Sequence, residues 1–136
     1  MLIVLLAFII GCQKSSSSPE DTVKSAVDSM IKGNYDKTFG YFIDRNGNPP
    51  PNELREQFKA NTKQSPISNY QILGTFDITP EMPEYNSYQE LFKDKKPIFD
   101  EVKIVKLVAV QGDPPRNQES SLILVKYKGS WKILTG

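Results

Sequence analysis

Lys32-Gly33-Asn34-Tyr35-Asp36-Lys37 is the stretch on which the fold turns. Upstream of it, Val23, Val27, Met30 and Ile31 recur at helical spacing and form one apolar stripe. Gly33 stands where such a helix stops, because a residue without a Cβ enters the left-handed backbone region freely. Asn34 is a capping residue, and beyond it Tyr35, Phe39 and Phe42 fall on one face of a second, shorter helix. Two helices therefore abut across a single glycine. The start of the first is equally legible: Ser18 suits the N-cap, Pro19 the first helical position, and Glu20 and Asp21 bring acids to the first turn.

Downstream, residues 44–51 form a loop, with Asn46-Gly47 as a turn and Pro49-Pro50-Pro51 too stiff for helix. Asn52 caps a third helix carrying Leu54 and Phe58, and Pro66 forbids its continuation. From there the period changes to two. Tyr70, Ile72, Gly74, Phe76 and Ile78 alternate with polar or small residues and make a first long strand. Residues 79–97 are broken by Pro80, Pro83 and Pro97, and Ser87-Tyr88-Gln89-Glu90 suggests a brief helix opened by a capping box. A second strand covers 99–111 and a third 120–128, with a turn-rich tip at 112–117 between them. Gly129-Ser130 suits a two-residue hairpin turn into a short last strand over 131–134. Helices first and antiparallel strands afterwards is the order of an α+β domain, its N-terminal helices packed on one sheet face.

The residues on both ends of this plan resemble one known family. Glu20-Asp21-Thr22-Val23-Lys24-Ser25-Ala26-Val27, followed by Lys32-Gly33-Asn34-Tyr35-Asp36-Lys37, is similar to the opening of nuclear-transport-factor-2-like domains. Val125-Lys126-Tyr127-Lys128-Gly129-Ser130-Trp131-Lys132-Ile133-Leu134 resembles their closing hairpin. The resemblance implies a curved, cystatin-like antiparallel sheet curled round the helices into a cone, whose mouth can be a pocket. Its nearest likeness is to small bacterial lipoproteins of unknown function that carry this domain. Enzymes on the same fold, such as ketosteroid isomerase, polyketide cyclases and limonene epoxide hydrolase, use Asp, Tyr, His or Arg projecting into the cone.

Ahead of the domain, residues 2–12 read Leu-Ile-Val-Leu-Leu-Ala-Phe-Ile-Ile-Gly-Cys, and a hydrophilic run from Gln13 to Ser18 follows. A membrane-spanning helix needs about 20 apolar residues, roughly twice this run. The order instead resembles a bacterial lipoprotein signal, with Ile9, Ile10 and Gly11 before the cysteine. The resemblance implies cleavage after Gly11 and lipidation of Cys12. The expected organisation is a signal peptide over 1–11, a lipidated cysteine and flexible tether over 12–18, and one nuclear-transport-factor-2-like domain over 19–136. The expected place is the bacterial cell envelope, with the membrane as partner through the lipid anchor. Gln rather than Asp after Cys12 favours the outer membrane where the source has one.

Composition narrows the chemistry. The chain has no histidine and one cysteine, which removes Ser-His-Asp triads, Cys-His dyads and Cys/His zinc sites from consideration. Its 17 basic and 16 acidic residues are spread along it, so no basic stripe argues for nucleic acid. No cofactor and no metal is expected. Asp77, Asp100 and Glu101 fall at strand positions open to solvent, and nothing in the sequence brings a carboxylate into a specific relation with Tyr41, Tyr70 or Tyr127. The expected function is non-catalytic binding of an envelope protein or a small hydrophobic ligand. The aromatics Tyr35, Phe39, Phe42, Phe58, Phe76 and Trp131 are the candidate pocket floor or core. Tyr85, Tyr88, Leu91 and Phe92 form the candidate partner loop, with a cover over the cone as its structural counterpart. The alternatives are an isomerase- or hydrolase-type enzyme using the cone, and a structural envelope assembly factor.

Overall fold

The computed structural model describes residues 18–136. The expected signal peptide, the Gly11–Cys12 junction and the tether up to residue 17 lie outside the described residues.

Helix α1 (Pro19–Ile31) starts as its sequence dictates. The Ser18 hydroxyl accepts from the Asp21 amide at 3.1 Å, and the Asp21 carboxylate accepts from the Ser18 amide at 3.3 Å, which completes a capping box. Gly33, at φ +77°, makes the break, and α2 (Tyr35–Phe39) follows under the Asn34 cap. The two helices are tied by a buried hydroxyl pair, Ser29 to Thr38 at 2.8 Å. Their α-helical course ends earlier than the aromatic spacing suggested. Phe42 and Ile43 form a strand, β1, rather than the end of α2. Gly40 propagates helix poorly, and the strand offers better bonds: the Ile133 amide donates to the Tyr41 carbonyl at 2.7 Å and that of Thr135 to Ile43 at 2.9 Å.

The remaining elements are α3 (Asn52–Gln64), β2 (Ile67–Phe76), α4 (Pro83–Leu91), β3 (Glu101–Gln111), β4 (Arg116–Tyr127) and β5 (Ser130–Leu134). They form an α+β domain around one five-stranded sheet in the order β1-β5-β4-β3-β2. All pairings are antiparallel except β1 with β5, so the sheet is mixed. The closing hairpin turns on Lys128 and Gly129, both at positive φ (51° and 83°), with Tyr127 opposite Ser130. The turn thus sits one residue before the expected Gly129-Ser130, because this two-residue geometry needs left-handed backbone at both positions.

Strand alternation gives the sheet two buried faces. On the inner face Val23, Ala26 and Val27 of α1 pack on Val105, Leu107, Leu124, Trp131 and Ile133. On the outer face Ile43, Val125 and Leu134 are covered by Tyr88, Leu91, Phe92 and Phe99. Helices therefore lie on both faces, the N-terminal ones inside and α4 outside. Helix α4 begins at Pro83, not at the expected capping box of Ser87 to Glu90, since proline at the first helical position is already set for entry.

Candidate functional site

Helix α3 has no buried residue of its own. The polyproline turn delivers it to the β1 edge of the sheet, where it leans an apolar stripe against α2 and β1. Leu54, Gln57, Phe58 and Asn61, spaced i, i+3, i+4 and i+7, line a cleft of about 250 Å³ together with Phe39, Phe42, Pro50 and Thr135. The Phe58 ring meets Phe39 edge-on at 5.4 Å and Phe42 at 6.2 Å, so three aromatic rings make the floor. Arg55 braces it: its Nε donates to the Pro50 carbonyl at 2.8 Å, and its guanidinium stands 5.4 Å from the Phe39 centroid. The polar groups of the lining, Gln57, Asn61 and Thr135, are amides and a hydroxyl that can orient a guest but do not titrate near neutral pH.

Three of the six candidate aromatics are thereby brought together: Phe39, Phe42 and Phe58. The others go elsewhere. Trp131 is buried in the inner core. Tyr35 is half-buried beside Lys59 and Lys63 in a polar hollow at the α1–α2 junction. Phe76 is 41% exposed on the outer face, contrary to its expected place in the core. The cause is one extra residue. Ile72 stands opposite Leu107 and Gly74 opposite Lys106, which leaves Leu73 as a bulge and reverses the alternation after it. Thr75 then faces α1 and donates to Glu20 at 2.9 Å, while the Phe76 ring lies over Gly74 with Lys106 Nζ 5.6 Å from its centroid.

The candidate partner loop is packed rather than free. Tyr88, Phe92, Phe99 and Tyr127 form a chain of ring contacts at 4.9, 5.9 and 5.9 Å across the outer sheet face, with Leu91 against the same cluster and Tyr85 half-buried in α4. The segment thus packs on the outer sheet face, away from the N-terminal helices.

One acid does meet an aromatic hydroxyl, a relation absent from the sequence reading because 42 residues separate the pair. Tyr70 donates to Asp28 Oδ1 at 2.7 Å. Burial, then the Asp28 hydrogen bond and charge, push the phenol up to about 12. It stays protonated near neutral pH, outside the aromatic cleft, and serves to clip α1 to β2. Asp77 pairs with Lys103, and Glu101 with Lys126 at 3.3 Å, as solvent-facing acids do. Among the described residues no three His, Cys, Asp or Glu side chains are grouped to hold a metal ion, and no helix is long and apolar enough to cross a membrane.

No protein-family model and no curated protein matches the chain. Among solved structures it is similar to a Campylobacter jejuni protein provisionally described as a nuclear-transport-factor-2-like transpeptidase. The two share 13% identity and superpose with a TM-score of 0.51 over 88% of this chain and 100% of the other. At that identity the likeness shows the fold.

Proposed function

We propose that this nuclear-transport-factor-2-like domain is the exposed part of a bacterial envelope lipoprotein, anchored through Cys12, and that it acts by binding a small hydrophobic ligand without chemical conversion. The observation that carries this reading is the cleft floored by Phe39, Phe42 and Phe58. Its volume, about 250 Å³, lies just under the size of ordinary small-molecule pockets, about 300 to 1,000 Å³. It admits one or two rings or a short acyl segment. Its non-titrating polar rim suits recognition better than proton transfer, which needs a group whose pKa lies near the working pH.

A second reading is favoured by the description of the Campylobacter protein. A transpeptidase-like activity here would need a nucleophile beside a base, and without histidine that base would be a lysine or carboxylate. The Phe39–Phe42–Phe58 cleft holds neither.

The test is titration with a neutral two-ring fluorophore, 6-propionyl-2-dimethylaminonaphthalene, whose emission rises and moves to shorter wavelength on transfer to apolar surroundings. Leu54 is 47% exposed, so Leu54→Glu changes the cleft with little effect on the core. Binding to the unaltered chain, weakened about tenfold (about 1.4 kcal/mol) by Leu54→Glu and by Phe58→Ala, is expected. Equal binding by all three proteins would remove the cleft from the function.

A further inference from the structure

A second cleft, of about 490 Å³, lies on the opposite side of the sheet between α4 and the β4–β5 strands. Its floor is Leu91, Ile123 and Leu134, and its rim carries Glu84, Ser87 and Ser121. Glu84 is the unusual member. Its Oε2 is buried and accepts no hydrogen bond among the described residues, a costly state for an acceptor shut away from water. Its own backbone amide and the Ser121 hydroxyl, more than the nearby Lys106 charge, hold its carboxyl below the usual range, so it is ionised at neutral pH.

Lys106 lends Glu84 some charge support, but no ion pair answers the carboxylate within the described residues. Lys106 is drawn over the Phe76 ring and makes no ion pair with Glu84. The other carboxylate on this rim, Glu90, is already paired with Lys93 at 2.5 Å. One negative charge without an ion-pair partner therefore sits at the N-terminal end of α4, beside two hydroxyls and above an aliphatic floor. From Glu84 to Leu91 the helix advances seven residues, about 10 Å at the helical rise.

We propose that this cleft binds a primary ammonium group carried on an unbranched aliphatic chain. Glu84, Ser87 and Ser121 supply acceptors for the three N–H donors of the ammonium, and the methylenes lie on Leu91, Ile123 and Leu134. Charge complementarity selects a cation, and the aliphatic floor selects a hydrocarbon stem over a hydrated metal ion. This site is independent of the aromatic cleft at α3, and either can stand without the other.

The test follows amide NMR shifts of the full domain during titration with hexylamine, hexanol and hexanoate. Hexylamine is expected to shift the amides of Ser121, Ile123 and Leu91 and to bind about tenfold tighter than hexanol, with hexanoate weakest of the three. Glu84→Gln is expected to bring hexylamine down to the level of hexanol, while Ser121→Ala, the second variant should Glu84→Gln fail to fold, weakens it in part. Nα-acetyl-lysine methylamide distinguishes the sources. The same shifts mean that a lysine side chain suffices, and their absence with hexylamine bound means a free amine. Equal affinity for hexylamine and hexanol, or hexylamine binding unchanged in both variants, overturns the proposal.

Discussion

Trp131 shows how much one side chain can settle. Its ring is 9% exposed, fixed between α1 and the sheet, with Lys126 Nζ 5.9 Å from its centroid on the neighbouring strand. Trp131→Ala should lower unfolding stability by about 3 to 5 kcal/mol, the cost of truncating a buried aromatic. An unchanged melting curve would show that the ring is not core. Tyr70 makes a different prediction. A phenol whose folded pKa, about 12, lies above its free value of 10.0 holds its proton more tightly in the native state. Its stabilisation is complete below the free value and is lost as pH rises from there toward the folded value. Tyr70→Phe should therefore flatten the fall in melting temperature over that alkaline interval. An identical fall in both proteins would assign the alkaline sensitivity to other groups. Of these two residues, the sequence marked Trp131 as a large apolar body on a strand. The Tyr70–Asp28 bond was hidden, because nothing in a linear pattern says which turn of α1 lies beside which residue of β2.

At the scale of elements, β2 is where alternation misleads. Counting by twos from Tyr70 puts Phe76 inside, yet the Leu73 bulge returns it to the outer face. The bulged residue occupies no register position, so its deletion should leave Thr75 facing α1 and Phe76 outward. Deleting Leu73 is therefore expected to preserve the fold and the Thr75–Glu20 bond. A collapse of the NMR spectrum would mean that Leu73 sets the register. Helix α3 shows the reverse case. Leu54 and Phe58 are visible in the sequence as an apolar pair, but a pair on one helix does not name its partner. The polyproline turn and the parallel β1–β5 pairing supply Phe39, Phe42 and Thr135 from both ends of the chain. Pro50, Gln57 and Asn61 gave no separate signal, being ordinary loop and helix-surface residues until the cleft forms around them. Helix α4 was visible as a short helical signal with aromatic residues, and its docking depended on which sheet face remained open.

For the whole molecule, the proposed anchor and the domain make separable demands. If Cys12 carries the lipid, Cys12→Ala should move the protein from the membrane to the soluble fraction. Unchanged sedimentation would count against the anchor and leave the fold intact. By itself the sequence determined the α1–Gly33–α2 opening, the Ser18 N-cap, the change of period at residue 66 and the α+β class. Each of these follows from backbone preferences and hydrophobic spacing within a few residues. Only the tertiary structure decided that β1 joins β5, that α4 covers the outer face, that Phe76 is expelled, and that three phenylalanines from distant segments share one cleft. Those outcomes depend on register and on competition for the same apolar surface, quantities that exist only once the elements have met.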